Sequence, residues 1–75
     1  MTPYRDIDHD SGVAGYDEGP DFIRVLFKDG AIYRYTDASA GGANIQQMKR
    51  LAASGDGLNA FINARVRRLY AQRER

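Results

Sequence analysis

An α+β fold, a three-stranded antiparallel β-meander followed by two α-helices packed on one face, is what this 75-residue chain predicts. Three observations carry that expectation. Residues 23–35 read I-R-V-L-F-K-D-G-A-I-Y-R-Y, two β-favouring runs on either side of Lys28-Asp29-Gly30. Glycine supplies the positive φ that such a tight turn needs. An earlier β-favouring run, residues 13–18, is joined to this hairpin by the turn signal Gly19-Pro20-Asp21. After Thr36 the apolar period lengthens from two to about 3.6 residues, in two stretches divided by Ser54-Gly55.

The elements follow in order. Residues 1–12, M-T-P-Y-R-D-I-D-H-D-S-G, offer little to bury and read as a flexible tail. Asp6, Asp8, Asp10 and Asp17 mimic the 1-3-5-12 spacing of a calcium loop. The match fails because Ser11 stands where the sharp turn needs glycine, Asp17 is too short to act as the bidentate twelfth ligand, and no room exists for an entering helix. His9, the single histidine, lies in the same tail without a catalytic partner. The strands are expected at about 13–18, 21–28 and 31–36, with Gly15 marking a bulge or a close backbone approach.

Residues 37–43 are small and flexible, a loop or a poorly formed helical start. Gly41-Gly42 lacks the following Lys and hydroxyl of a phosphate loop. Asn44 with Gln47 reads as a capping box, and Ile45, Met48, Leu51 and Ala52 share one helical face. Gly55 is the stop signal. Asp56 is the expected cap of a second helix over residues 57–72, whose apolar stripe is Leu58, Phe61, Ile62, Val66 and Leu69. Arg65 falls near the centre of that stripe. An unpaired buried guanidinium is costly, so it must snorkel, pair with Asp17 or Glu18, or face a ligand. Arg67 and Arg68 fall on the outer face, and residues 73–75 form a basic end.

Composition bounds the function. A chain this short buries roughly 60–65% of its unfolded surface, and without cysteine neither a disulfide nor a thiolate metal site reinforces it. The core rests on apolar side chains or on an oligomer partner. No apolar segment is long enough for a signal peptide or a membrane span, so a cytoplasmic location is expected. Net charge is +1, unevenly spread. Residues 1–37 carry four basic and eight acidic side chains, and residues 38–75 carry seven basic and two acidic. The two halves either attract one another within one small fold or present a basic end to an anionic partner.

The order β-β-β-α-α resembles the KTSC domain, a small module named after the C-terminal region of some lysyl-tRNA synthetases and also found alone in bacterial and phage proteins. The residues that carry the likeness are Gly15-Tyr16-Asp17, then Ile23, Val25 and Phe27, then Gly30 and Tyr33-Arg34-Tyr35, the Y-x-Y of the family's centre. Ser54-Gly55-Asp56-Gly57-Leu58-Asn59 with Ile62 is similar to its S-x-G…N…I segment, the serine one place out. The likeness spans about residues 13 to 70. It departs where Asp37-Ala38 replaces the usual Val-Pro, and where Asn63 stands in place of a frequent arginine. The resemblance implies the fold. RNA binding is suggested by the synthetase context, and the family has no agreed activity.

These residues fit a small non-enzymatic binding module. Arg24, Lys28 and Arg34 on a sheet face, extended by Arg65, Arg67 and Arg68, would neutralise the phosphates of single-stranded nucleic acid, while Tyr16, Tyr33 and Tyr35 either stack on bases or fill the core. A protein-interaction or inhibitory module, of a phage or mobile-element kind, is the alternative. It would act as an oligomer or by blocking a partner, with Tyr16 or Tyr70 at the interface. Sequestration of a small anionic nucleotide-like ligand between subunits is a third reading. An enzyme is not expected, since no Ser, Lys or His has an activating partner, and neither a metal nor a cofactor is implied.

Hairpin register decides the tyrosines. A two-residue loop, Asp29-Gly30, pairs Arg24 with Tyr35 and turns both Tyr33 and Tyr35 onto the arginine face. A three-residue loop, Lys28-Asp29-Gly30, pairs Val25 with Tyr33 and Ile23 with Tyr35. The second register makes one continuous apolar face and is the expected one. It sets Arg24 opposite Arg34, a like-charge pair that needs an anion or a carboxylate nearby.

Overall fold

The computed structural model describes every residue except Asp8 and Asp10. It has an antiparallel sheet with helices on one face, but the sheet has five strands rather than three. Strands β1 (Thr2–Pro3), β2 (Val13–Gly19), β3 (Phe22–Phe27), β4 (Ile32–Thr36) and β5 (Gln72–Arg73) lie in sequence order. Helices α1 (Asp37–Ala40), α2 (Gly42–Ser54) and α3 (Leu58–Phe61) stand between β4 and β5, and α3 runs directly into a π-helical turn, Ile62–Val66.

The hairpin takes the three-residue loop. Val25 faces Tyr33, Ile23 faces Tyr35, and Arg24 faces Arg34. Gly30 adopts φ 93°, and its N–H closes the turn onto the Phe27 carbonyl at 2.9 Å. Alternation along the strands then sends Val13, Ile23, Val25 and Tyr35 to the helices, where they meet Ile45, Met48, Leu58, Ile62 and Val66 in one buried cluster. The β2–β3 register shifts between Val13 and Gly15, the bulge that Gly15 foreshadows.

Residues 1–12 are not a loose tail throughout. Thr2 and Pro3 pair with Tyr16 and Gly15 at the β2 edge. The Tyr4 ring is buried in the core cluster, and its hydroxyl accepts the Leu58 N–H at 3.3 Å. That contact satisfies one of the N–H groups left open at the start of α3. Asp56 therefore does not cap this helix; Gly57, at φ 85°, occupies the cap position without a side-chain bond. Arg5 reaches the other side of the same junction and donates to the Ala53 and Ser54 carbonyls at 2.7 and 2.9 Å, where α2 ends on left-handed Gly55. The calcium-like aspartates fall partly on undescribed residues. Of the rest, Asp6 is buried and bonded to Lys28 and Ser11.

The segment expected as a loop or a poorly formed helical start holds the short helix α1. Thr36 caps it, accepting from the Ser39 N–H while the Ser39 hydroxyl accepts from the Thr36 N–H, both at 3.0 Å. Asn44 consequently lies inside α2, which begins at Gly42, and its amide donates to the Ala40 carbonyl at 2.8 Å.

The second helix ends at Val66 rather than at residue 72. Its last turn explains why Arg65 escapes the core. In an uninterrupted α-helix Arg65 would lie ~20° from Leu58 around the axis and Val66 ~80° away. A π-turn holds ~4.4 residues, so each step inside it rotates by only ~82°. Val66 returns to within ~10° of Leu58, and Arg65 moves out to ~75°. Leu58, Ile62 and Val66 are accordingly buried while Arg65 is exposed. The expected ion pair of Arg65 with Asp17 or Glu18 does not form, and Leu69 leaves the apolar stripe at 42% exposure. Among the described residues, no helix is long and apolar enough to cross a membrane.

Candidate functional site

The same rotation shapes a cleft beside the helix end. In an α-helix Arg67 would point directly away from Leu58; after the π-turn it lies ~100° round, on the flank that carries Asn63. Asn63, Arg67 and Arg68 now line a cleft of about 470 Å³ between the helix end and the tip of the β3–β4 hairpin. Its other wall is aromatic. Phe27 meets Tyr33 edge-on at 5.6 Å and 88°, and Tyr33 meets Tyr70 at 4.8 Å and 70°. Tyr35 forms the floor, 1% exposed, with Tyr70 at 6.5 Å. Burial is the main cause that pushes its phenol up to about 12. Lys28 stands at the rim, its ammonium 2.8 Å from Asp6, whose carboxyl is held below its ordinary value chiefly by that bond. No carboxylate pairs with Arg67 or Arg68 among the described residues.

Arg24 and Arg34 lie on the opposite face of the sheet, facing one another across β3 and β4. The carboxylate that this like-charge pair demands is Glu74. Its Oε1 accepts from Arg24 Nε at 3.0 Å and Nη2 at 2.7 Å, and its Oε2 accepts from Arg34 Nε at 2.8 Å. Asp17 takes a further Arg24 bond at 3.0 Å. Arg34 also lies over the Phe22 ring at 4.5 Å. The two guanidiniums hold the Glu74 carboxyl below its ordinary value, Arg24 most of all, and Glu74 in turn raises Arg24.

The residues expected to form one basic surface are thus divided. Lys28, Arg67 and Arg68 share the cleft with Tyr33 and Tyr35. Arg24 and Arg34 form an ion network on the far face, and Arg65 and Tyr16 belong to neither, Tyr16 packing half-buried beside the core. Sequence reasoning missed Glu74, Phe27 and Asn63. Glu74 carried a signal, as the only acidic residue after Asp56. Neither a family model, nor a curated protein, nor a solved structure matches this chain.

Proposed function

We propose that this chain is a non-enzymatic, KTSC-like binding module that takes single-stranded nucleic acid at the cleft between the hairpin tip and the π-turn. One observation carries the reading: Arg67 and Arg68, which pair with no carboxylate among the described residues, share a cleft with an aromatic wall of Phe27, Tyr33 and Tyr70. An unpaired base stacks on such rings for about 1–3 kcal/mol, and the arginines meet the flanking phosphates. Arg24 and Arg34 are left out of this interface because Glu74 already holds them. Fluorescence anisotropy with a labelled oligo-uridine in low salt tests the proposal. R67A/R68A is expected to weaken binding and to reduce the salt slope by about 0.7 per lost phosphate contact. No binding by the intact chain at low salt would end it.

The volume supports a second reading, capture of one free nucleotide. About 470 Å³ falls within the range of small-ligand sites, roughly 300–1,000 Å³. Stabilisation by mononucleotides as strong as by oligonucleotides of the same base would favour it.

A further inference from the structure

The far edge of the sheet is filled by residues 71–75, and the manner of filling is that of a docked peptide. The backbone contacts are those of strand addition. The Ala71 N–H donates to the Arg34 carbonyl at 2.7 Å, the Ile32 N–H donates to the Arg75 carbonyl at 2.8 Å, and the Glu74 N–H donates to the Ile32 carbonyl at 2.7 Å. Side chains add specificity on both faces. Glu74 enters the fork of Arg24 and Arg34, while Arg73 lies over the Tyr33 ring at 5.5 Å. Yet the ladder is only two residues long, Tyr33 with Arg73 and Arg34 with Gln72, and residues 67–73 that lead into it are exposed. Neither Gln72 nor Arg73 buries an apolar group there.

We propose that the β4 edge with its two arginines is a peptide-docking groove, filled in cis by residues 71–75, and that its partner is a protein donating an extended segment with an acidic side chain at the Glu74 position. Strand addition supplies affinity through the main chain and selectivity through alternate side chains. Charge complementarity selects the acidic residue, because a strand without it leaves Arg24 and Arg34 opposed with Asp17 as the one remaining ion-pair partner among the described residues. The cis segment competes as a tethered ligand at an effective concentration of about millimolar. A partner must exceed that, so the groove opens only to a better-matched strand. The arginine fork lies on the face of the sheet opposite the nucleic-acid cleft, which this segment touches only through Arg73 on Tyr33, and the inference does not rest on that reading.

The test uses the full chain and a synthetic peptide of residues 70–75, Tyr-Ala-Gln-Arg-Glu-Arg. In E74A the cis segment is weakened. The peptide is expected to shift the Ile32 and Arg34 amide signals and the Arg24 Nε signal of E74A, with the same peptide carrying Ala for Glu binding at least about tenfold more weakly. The wild-type chain should also bind about tenfold more weakly than E74A, because its own segment occupies the groove. A71P provides an independent release, removing the N–H that donates to Arg34 while keeping the Glu74 carboxylate. It too should take the peptide. In the wild-type chain, the Glu74 amide should exchange with solvent well before the Val25 amide. Equal binding of the two peptides, no binding by either variant, or a Glu74 amide as protected as Val25 overturns the proposal. So do equal shifts with inorganic phosphate, which would make the arginine pair an oxyanion site instead.

Discussion

Deleting Ala64 should leave the fold standing, although a deletion inside a packed helix ordinarily destroys it. The π-turn holds one residue more than the α-helix needs between Ile62 and Val66. With Ala64 gone, the segment can close as α-helix. Val66 then lies ~20° from Leu58 around the axis and Arg67 ~80° away, each within ~30° of its position in the intact chain. Ile62 and Val66, 3% and 0% exposed, keep their places, and Ala64 is itself exposed. The expected change in stability is within about 1 kcal/mol of zero, the scale of exchanging one exposed helical residue. Deleting Gln46, also exposed, from the regular turns of α2 is the control. It rotates Met48 and Ala52 by ~100° relative to Ile45. Met48 is fully buried, so the loss should reach about 2–5 kcal/mol. Urea denaturation followed by circular dichroism reads both. Equal damage from the two deletions would refute the rotation argument, and with it the account of why Arg65 is exposed and Arg67 faces the cleft.

Three further outcomes follow from the ionisable and polar contacts. Glu74 and Asp6 have folded-state values below their ordinary ones, so their stabilisation is present at neutral pH and is lost as pH falls through those lowered values; E74Q should flatten the acid limb of a stability–pH curve, and an unchanged limb would remove Glu74 from it. Tyr35 has its value raised to about 12, so its contribution is complete below pH 10 and lost as pH rises toward 12; absorbance at alkaline pH should show a late tyrosinate step that Y35F removes. Y4F keeps the ring but removes the acceptor for the Leu58 N–H, costing about 1–3 kcal/mol in thermal denaturation, whereas Y4A empties part of the core and should cost about 3–5 kcal/mol; a Y4F as stable as the wild type would show that the hydroxyl contributes nothing, and equal losses that the ring does not.

Much of the sheet centre was legible because local and global signals agree there. Gly30 sets the turn, and the turn sets a register that gives Ile23, Val25, Tyr33 and Tyr35 one apolar face. From that register the opposition of Arg24 and Arg34, and their need for a carboxylate, could be reasoned before any coordinates. Its supplier could not, because Glu74 lies 50 residues from Arg24 and 40 from Arg34 in the chain. Strand β5 was hidden because Gln-Arg has no alternation of apolar and polar residues, and β1 because Thr-Pro is equally mute. The cleft was missed for a geometric reason. Helical reading assumes a constant rotation per residue, and a π-turn breaks that assumption without any marker in composition. Tyr4 escaped notice because its neighbours are polar, so nothing around it announced a buried ring.

Synthesis proceeds from the N-terminal side, and β5 is the last strand of this sheet to be made. Strands β1 to β4 and the helices that cover them are all specified before Gln72 is added. For that interval β4 is a bare edge, with its outward amides and carbonyls open to any extended chain nearby. Tyr33-Arg34-Tyr35, a β-favouring stretch, lies on that edge. The β4 edge is therefore more open to pairing before Gln72–Arg73 is added than after, and covering it is what this short, charged strand contributes.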